Sequence, residues 1–292
     1  MMFIKAIILG IIQGLTEFLP VSSTAHLIII EKFLRLADNV EFVNMFDVVI
    51  QTGSIIAVII YFRKKIFPPP ELIKNFKTVL PMLIKSGGNI NSEKDCSSVK
   101  ILSLWLKIAV AFLPAAILGL LFAKKIDYLF EKPIPIAGAL IVGAILLLIA
   151  EKKAAGNTKI DSEFSITFLQ AFIIGLFQCL ALWPGMSRSG STIIGGFFLG
   201  FSRKAAAEFS FFLSIPTIIG AGVYKLIKTL KSGIILNQEE WIALAIGTFV
   251  SFIVAYIVIA MFMNFIRKHK LSVFAYYRIL LGIIIILFFY YK

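Results

Sequence analysis

A chain of 292 residues that is 59% hydrophobic and only 15% charged, with a mean hydropathy of +0.95, lies outside the composition of soluble globular domains and reads as a polytopic membrane protein. The net charge of +13 does not point to nucleic acid, because the basic residues sit between apolar runs and form no long basic face; they serve to orient the chain in a bilayer. Two cysteines, Cys96 in a polar loop and Cys179 in an apolar run, predict neither a disulfide nor a thiolate metal site.

The first apolar run contains "GIIQGLTEFLPVSSTAH", Gly10 to His26, which places Gln13, Thr16, Glu17, Ser22, Ser23, Thr24 and His26 among residues that otherwise face lipid. An ionised carboxylate at the centre of a membrane helix costs roughly 2.5–3.5 kcal/mol, so Glu17 needs a compensating environment and is a candidate functional residue. The competing account is a structural carboxylate held between helices. Pro20 lacks a backbone donor and drives Leu19 out of helical geometry, so the helix that starts near Met2 breaks there. At about 1.5 Å per residue its first part is roughly 25 Å long, short of the roughly 30 Å hydrocarbon core, which predicts a re-entrant hairpin over about 2–33. Ser22 or Ser23 then caps a second short helix whose free N–H groups form an anion site at the depth of Glu17. Both serines fall on the same helix face as His26, so serine, imidazole and carboxylate can converge. A cleavable signal peptide is disfavoured by the polar Glu17 and His26 and by the lack of a small-x-small site after a clean apolar core.

Apolar runs follow at about 44–62, 104–123 and 134–150, then a second broken run at about 164–201, then 207–227, 241–266 and 271–291, most of them joined by lysine-rich connections. The order repeats at an offset of about 163 to 165 residues. "GIIQGL" from Gly10 returns as "GLFQCL" from Gly175, the Pro20-Val21-Ser22-Ser23 break as Pro184-Gly185-Met186-Ser187, and "GSIIAVIIY" ending at Tyr61 as "PTIIGAGVY" ending at Tyr224, while Trp105 and Trp241 open the next run. Two homologous halves are expected, 1–155 and 160–292, each with one re-entrant hairpin and three transmembrane helices. An odd number of crossings inverts the second half, giving an all-α inverted-topology repeat whose functional centre lies at the midplane. A moderate excess of Lys and Arg, including Arg63, Lys152, Lys153, Arg267, Lys268 and Lys270, places the loop 63–103 in the cytoplasm, with both termini and the mouth of the first hairpin outside.

The partner of the opening stretch is "WPGMSRSGST", Trp183 to Thr192. Pro184 and Gly185 break the helix, Ser187 is a natural N-cap and Arg188 follows in the first turn. A cation there opposes the helix dipole unless it meets an anion. With Ser187, Ser189, Ser191 and Thr192 as hydroxyl donors, Arg188 suits the oxygens of a phosphate or diphosphate; a structural ion pair with Glu17 is the competing account. The ligand predicted by the two breaks together is anionic at one end and greasy at the other, as a lipid diphosphate is. Asp47, Gln51, Glu208, Ser210 and Arg278 are read as supporting residues that brace the hairpins, and Asp127 and Glu131 as solvated loop charges.

These residues resemble the undecaprenyl-diphosphatase (bacitracin-resistance) family of bacterial membrane phosphatases. The similarity runs over essentially the whole chain, through "QGLTEFLPVSSTAH" (Gln13–His26), "FDVVIQTGS" (Phe46–Ser54), "PGMSRSGST" (Pro184–Thr192), "AAAEFSFFLSIP" (Ala205–Pro216) and "YYRILLG" (Tyr276–Gly282). The resemblance implies hydrolysis of undecaprenyl diphosphate to the monophosphate and inorganic phosphate in the bacterial inner membrane. It also implies recycling of the carrier lipid for cell-wall synthesis, and a site open to the outer side. By motif position it assigns catalysis to Glu17, Ser23, His26 and Arg188, with Ser22, Ser187 and Thr192 beside them; Thr24 and Ser189 are read together with these as binding the diphosphate. At Gln13 many members carry glutamate, so a mechanism that needs two carboxylates there is in doubt. A divalent cation, Mg or Ca, at Glu17 is the cofactor expected, with no organic cofactor, and pairing into a homodimer is left open. The favoured scheme makes Ser23 the nucleophile, His26 its base and Glu17 the orienting group or cation ligand; His26 as nucleophile and water activated by Glu17 with metal are its rivals. A polyprenyl-phosphate flippase or transporter would use the same anion site, and a scaffold without chemistry would leave Glu17, His26 and Arg188 unexplained.

Overall fold

The computed structural model describes residues 1–67, 97–130, 132–156, 158–231 and 236–290. Most of the loop from Arg63 to Lys100, with Cys96, lies outside them, as do Glu131 and the side chain of Asp127. The described chain is helical throughout its length: α1 (Met2–Thr16), α2 (Ser23–Phe33), α3 (Val40–Tyr61), the short α4 (Arg63–Ile66), α5 (Ser97–Leu121), α6 (Ala123–Phe130), α7 (Pro133–Ala154), α8 (Phe168–Gln178), α9 (Arg188–Phe198), α10 (Arg203–Lys231), α11 (Gln238–Lys268) and α12 (Ser272–Tyr290).

Among the described residues six helices, α3, α5, α7, α10, α11 and α12, are long and apolar enough to cross a membrane. They match the six expected runs but several begin earlier. Asn39 caps α3 by accepting from the Glu41 and Phe42 N–H groups, and Asn237 and Glu240 form a capping box at the head of α11, so both helices reach into polar sequence that hydropathy does not register. The polarity of the bundle is that of a protein in lipid. Leu113, Leu120, Phe249, Met261 and Leu280 point outward, while Gln13, Ser54, Lys107, Ser251 and Arg278 are fully buried.

Helices distant in sequence do the packing. The chief partner of α1 is α11, which also packs on α3; α5 packs on α8, α3 on α10 and α7 on α12. The α1–α3–α11 crossing is close because it is built from small residues. A Cβ on Gly53 would strike the Thr248 carbonyl of α11, one on Gly10 would lie 2.6 Å from the Gly247 carbonyl, and Ser54 Oγ meets Ser251 Oγ at 2.9 Å.

One end of the bundle is tied by ion pairs whose carboxylates are buried and whose cations are partly exposed. Lys65 Nζ donates to Glu163 Oε1 at 2.7 Å and to Glu208 Oε2 at 2.8 Å; Arg203 donates to Glu151, which also accepts from the Leu271 N–H at 2.9 Å. Burial alone would raise the Glu163 pKa, but its hydrogen bonds with Glu208 and Lys65 and the lysine charge outweigh burial and hold it below the ordinary glutamate value. A depressed carboxyl pKa contributes stability that is present above the unfolded value, about 4.3, and is lost as pH falls through the folded value. Glu163→Ala is therefore expected to cost roughly 3 kcal/mol by stranding part of the Lys65 charge. Thermal unfolding in detergent should show that deficit at pH 7 and a smaller one near pH 4; equal deficits at both would mean that packing, not charge, is lost.

Candidate active site

Two short helices end inside the protein and are resumed by two others after a break. At the first break α1 stops at Thr16; Glu17 keeps helical angles, its N–H reaching the Gln13 carbonyl at 3.0 Å, and the chain then turns through Pro20 to Ser22. At the second, α8 stops at Gln178, a 3₁₀ turn covers Cys179–Leu182, and Gly185 with φ of 97° leads to Ser187. Ser22 and Ser187 cap α2 and α9, accepting from the Ala25 and Gly190 N–H groups at 3.4 and 3.1 Å. Both hold φ of 72°, a left-handed conformation that costs a non-glycine residue of order 1 kcal/mol and that concentrates at functional sites.

The breaks meet. Arg188, first residue of α9, donates from Nη2 to Glu17 Oε1 at 3.0 Å and from Nη1 to the Ser210 carbonyl of α10 at 2.9 Å, and its guanidinium lies over the Phe18 ring. Glu17 Oε2 accepts from Gln13 Nε2 and from Ser23 Oγ, both at 2.7 Å. Ser189 Oγ donates to the Leu19 carbonyl at 3.0 Å, and Thr192 Oγ1 to Ser210 Oγ at 2.7 Å. Glu17 thus sits between three partners, Gln13, Ser23 and Arg188, and is only 7% exposed, as a carboxylate held in an apolar medium must be.

Arg278 of α12 clasps the two breaks from behind. Fully buried, it donates to the Pro20 carbonyl at 3.4 Å, to the Gly185 and Met186 carbonyls at 3.3 and 2.8 Å, and to the Ala139 carbonyl of α7 at 3.3 Å. Gly143 and Gly190 leave room for it: a Cβ on Gly143 would strike Nη2, and one on Gly190 would lie 2.9 Å from Nη1.

The histidine is placed differently from expectation. His26 Nδ1 lies 2.7 Å from the Ser22 carbonyl and Nε2 lies 2.6 Å from the Tyr277 hydroxyl, with the two rings 6° from parallel. Ser23 faces Glu17 instead. The expected Ser23–His26 couple is absent because Ser23, at the first position of α2, points across the break, while His26, a turn later, bonds back to its own cap. Of the hydroxyls, Ser22 and Ser187 act as caps, Ser189 and Thr192 bridge elements, and Thr24 is half-buried on the first turn of α2. Asp47, Gln51 and Glu208 lie away from this cluster: Asp47 lies near Glu31, Gln51 bonds to its own helix at the Asp47 carbonyl, and Glu208 joins Lys65. Tyr277 went unread in the sequence although it stands next to Arg278. A tyrosine among the aromatic residues of a lipid-facing helix carries no signal of its own, and 43% of its surface is exposed.

Fold and site together define a multi-pass helical membrane protein with a buried polar centre assembled from two chain breaks. The chain belongs to the bacitracin resistance protein BacA family, which it matches over residues 6–284. It is 45% identical to undecaprenyl-diphosphatase 1 of Clostridioides difficile over 286 residues, covering 98% of this chain and 96% of that protein. Undecaprenyl-diphosphatases of Thermoanaerobacter sp. (strain X514) and Flavobacterium psychrophilum are 44% and 42% identical, each with 98% of this chain and 96% of the relative covered.

Proposed function

We propose that the protein is a membrane phosphatase that hydrolyses undecaprenyl diphosphate to the monophosphate and inorganic phosphate. In this role it recycles the carrier lipid for cell-wall synthesis in the bacterial inner membrane and confers bacitracin resistance by depleting the diphosphate. The observation that carries this reading is the Glu17–Ser23–Arg188 cluster at the facing N-termini of α2 and α9. The terminal phosphate competes with Glu17 for Arg188. Arg188, the N–H groups at the starts of both helices and the Ser187, Ser189 and Thr192 hydroxyls stabilise the charge that grows in the transition state. Ser23 Oγ attacks the terminal phosphorus as its proton passes to Glu17 Oε2, 2.7 Å away; the bond to the bridging oxygen breaks and the lipid monophosphate leaves with the electron pair. Water then attacks the serine phosphate, its proton taken up at His26 Nε2; the bond from phosphorus to Ser23 Oγ breaks, and Glu17 returns the proton it holds to that oxygen.

The donor set suits a hard divalent cation bound partly through substrate. Glu17 and the Gln13 amide oxygen, buried without a partner, would hold it, and it would add positive charge beside the phosphoryl oxygens.

The packing supports an inverted repeat with two re-entrant pairs. The chief partner of α1 is α11 of the second half and α8 packs on α5 of the first, while α3 meets its counterpart α10 and α7 its counterpart α12. At 15 and 11 residues, α1 and α8 are too short to cross roughly 30 Å of hydrocarbon. With the lysine-rich loop inside, the mouth of the first pair opens outward, toward the face where spent carrier lipid is released.

The test is phosphate release from undecaprenyl diphosphate by the purified protein in detergent, beside Glu17→Gln and Arg188→Ala variants. Each variant is expected to lose at least about 100-fold in rate. Tight lipid binding by the wild type without phosphate release would overturn the reading in favour of a transporter.

A further inference from the structure

The hydrogen-bond directions around His26 single out a residue outside the cluster at Glu17. A backbone carbonyl can only accept, so at 2.7 Å from the Ser22 oxygen Nδ1 carries the ring hydrogen. In the neutral imidazole Nε2 is then the acceptor, and the Tyr277 hydroxyl at 2.6 Å donates to it. Both nitrogens are thereby engaged, one by the first break and one by α12, and the stacked rings, with centroids 5.6 Å apart, fix the imidazole plane. The neighbour of Tyr277 in sequence is Arg278, held by carbonyls of both breaks, so the position of the hydroxyl is set by the clasp that sets the breaks themselves.

From this geometry we propose that Tyr277 is a positioning residue for His26. It holds Nε2 as the single ring position that can take up a proton, and it remains the partner of that nitrogen afterwards. A hydroxyl can do both: it donates to neutral Nε2, gives up that lone pair as the attacking water delivers its proton there, and then accepts from the N–H so formed. No proton is created or lost in the exchange, since the one that leaves water is the one on Nε2. A carboxylate in the same place would only accept and would favour the charged ring throughout. With the Ser23 hydroxyl committed to Glu17, the tyrosine is what holds Nε2 of the imidazole in the described structure.

The role of this pairing in turnover rests on the phosphatase reading, but the pairing itself does not, and the experiment separates them. Tyr277→Phe keeps the stacked ring and removes the hydroxyl. In detergent it is expected to lower kcat roughly 10- to 100-fold, part of the 10²- to 10⁴-fold a general base supplies, with KM within about two-fold. Tyr276→Phe, one position away and 64% exposed, should behave as wild type. Nitrogen-15 NMR of histidine-labelled protein at neutral pH should show His26 Nε2 unprotonated and hydrogen-bonded in the wild type and in Tyr276→Phe, and released from that bond in Tyr277→Phe. An unchanged kcat in Tyr277→Phe with active wild type, or a rise in KM alone, overturns the positioning role. A protonated or unbonded Nε2 in the neutral wild-type ring overturns the pairing even if no variant folds. Absence of phosphate release by the wild type would count against the phosphatase reading and leave the nitrogen spectra to decide the pairing.

Discussion

Arg188→Lys is expected to lower kcat/KM for undecaprenyl diphosphate by roughly 100-fold or more, although charge is conserved. The reason is the fork. In the described structure one guanidinium nitrogen reaches Glu17 Oε1 and the other the Ser210 carbonyl, so the planar group joins the first break, α9 and α10 at once. An ammonium is a compact point charge without that geometry and can satisfy one of these directions. Once the terminal phosphate displaces Glu17, a lysine would also meet it with a single donor where arginine offers two parallel ones. The loss should fall mainly on kcat, because the second contact matters most when charge accumulates on the phosphoryl oxygens. Steady-state kinetics in detergent, with phosphate release as the readout, would check it; a variant within three-fold of wild type would show that any cation at this helix start suffices.

Arg278→Met is expected to be the most destabilising single change near the site. Of the carbonyls that now accept from the guanidinium, those of Pro20, Gly185 and Met186 would be left without a donor in a dry interior, while that of Ala139 keeps its place in the α7 ladder. Stranded buried acceptors cost about 1–3 kcal/mol each, offset in part by no longer burying a cation, for a net loss of roughly 3 kcal/mol or more. At this chain length that corresponds to a fall of about 5–10 °C in apparent Tm in detergent, with loss of activity as the breaks separate. Arg278→Lys should recover part of the stability and little of the activity, since an ammonium cannot reach both breaks. Normal unfolding with activity abolished would instead assign Arg278 an electrostatic role at the site.

What could be read from residue order was what the covalent chain and its solvation dictate locally. Pro20 and the Pro184-Gly185 pair must interrupt their helices, Ser22 and Ser187 are suited to cap the resumed ones, and Glu17 and Arg188 could not be left facing lipid. Six runs had to become long apolar helices, and the motif order led to the family. Side-chain direction across the breaks was not legible. The spacing of Ser23 and His26 is compatible with their meeting, yet Ser23 turns to Glu17 and His26 to Tyr277, because those partners arrive from the other side of the break and from a helix about 250 residues away. Sequence read Glu208 as a bracing residue without naming its partner, which is Lys65 at one end of the bundle.

The sequence by itself therefore determined the membrane class, the two breaks and the inventory of polar groups they carry, since each follows from hydropathy, proline geometry and the cost of burying charge. Only the tertiary structure decided which of those groups share a hydrogen bond. The pairing of α1 with α11, of α5 with α8 and of α7 with α12 is set by close contacts between distant segments, such as that of Gly53 with Thr248, whose partners no local pattern specifies.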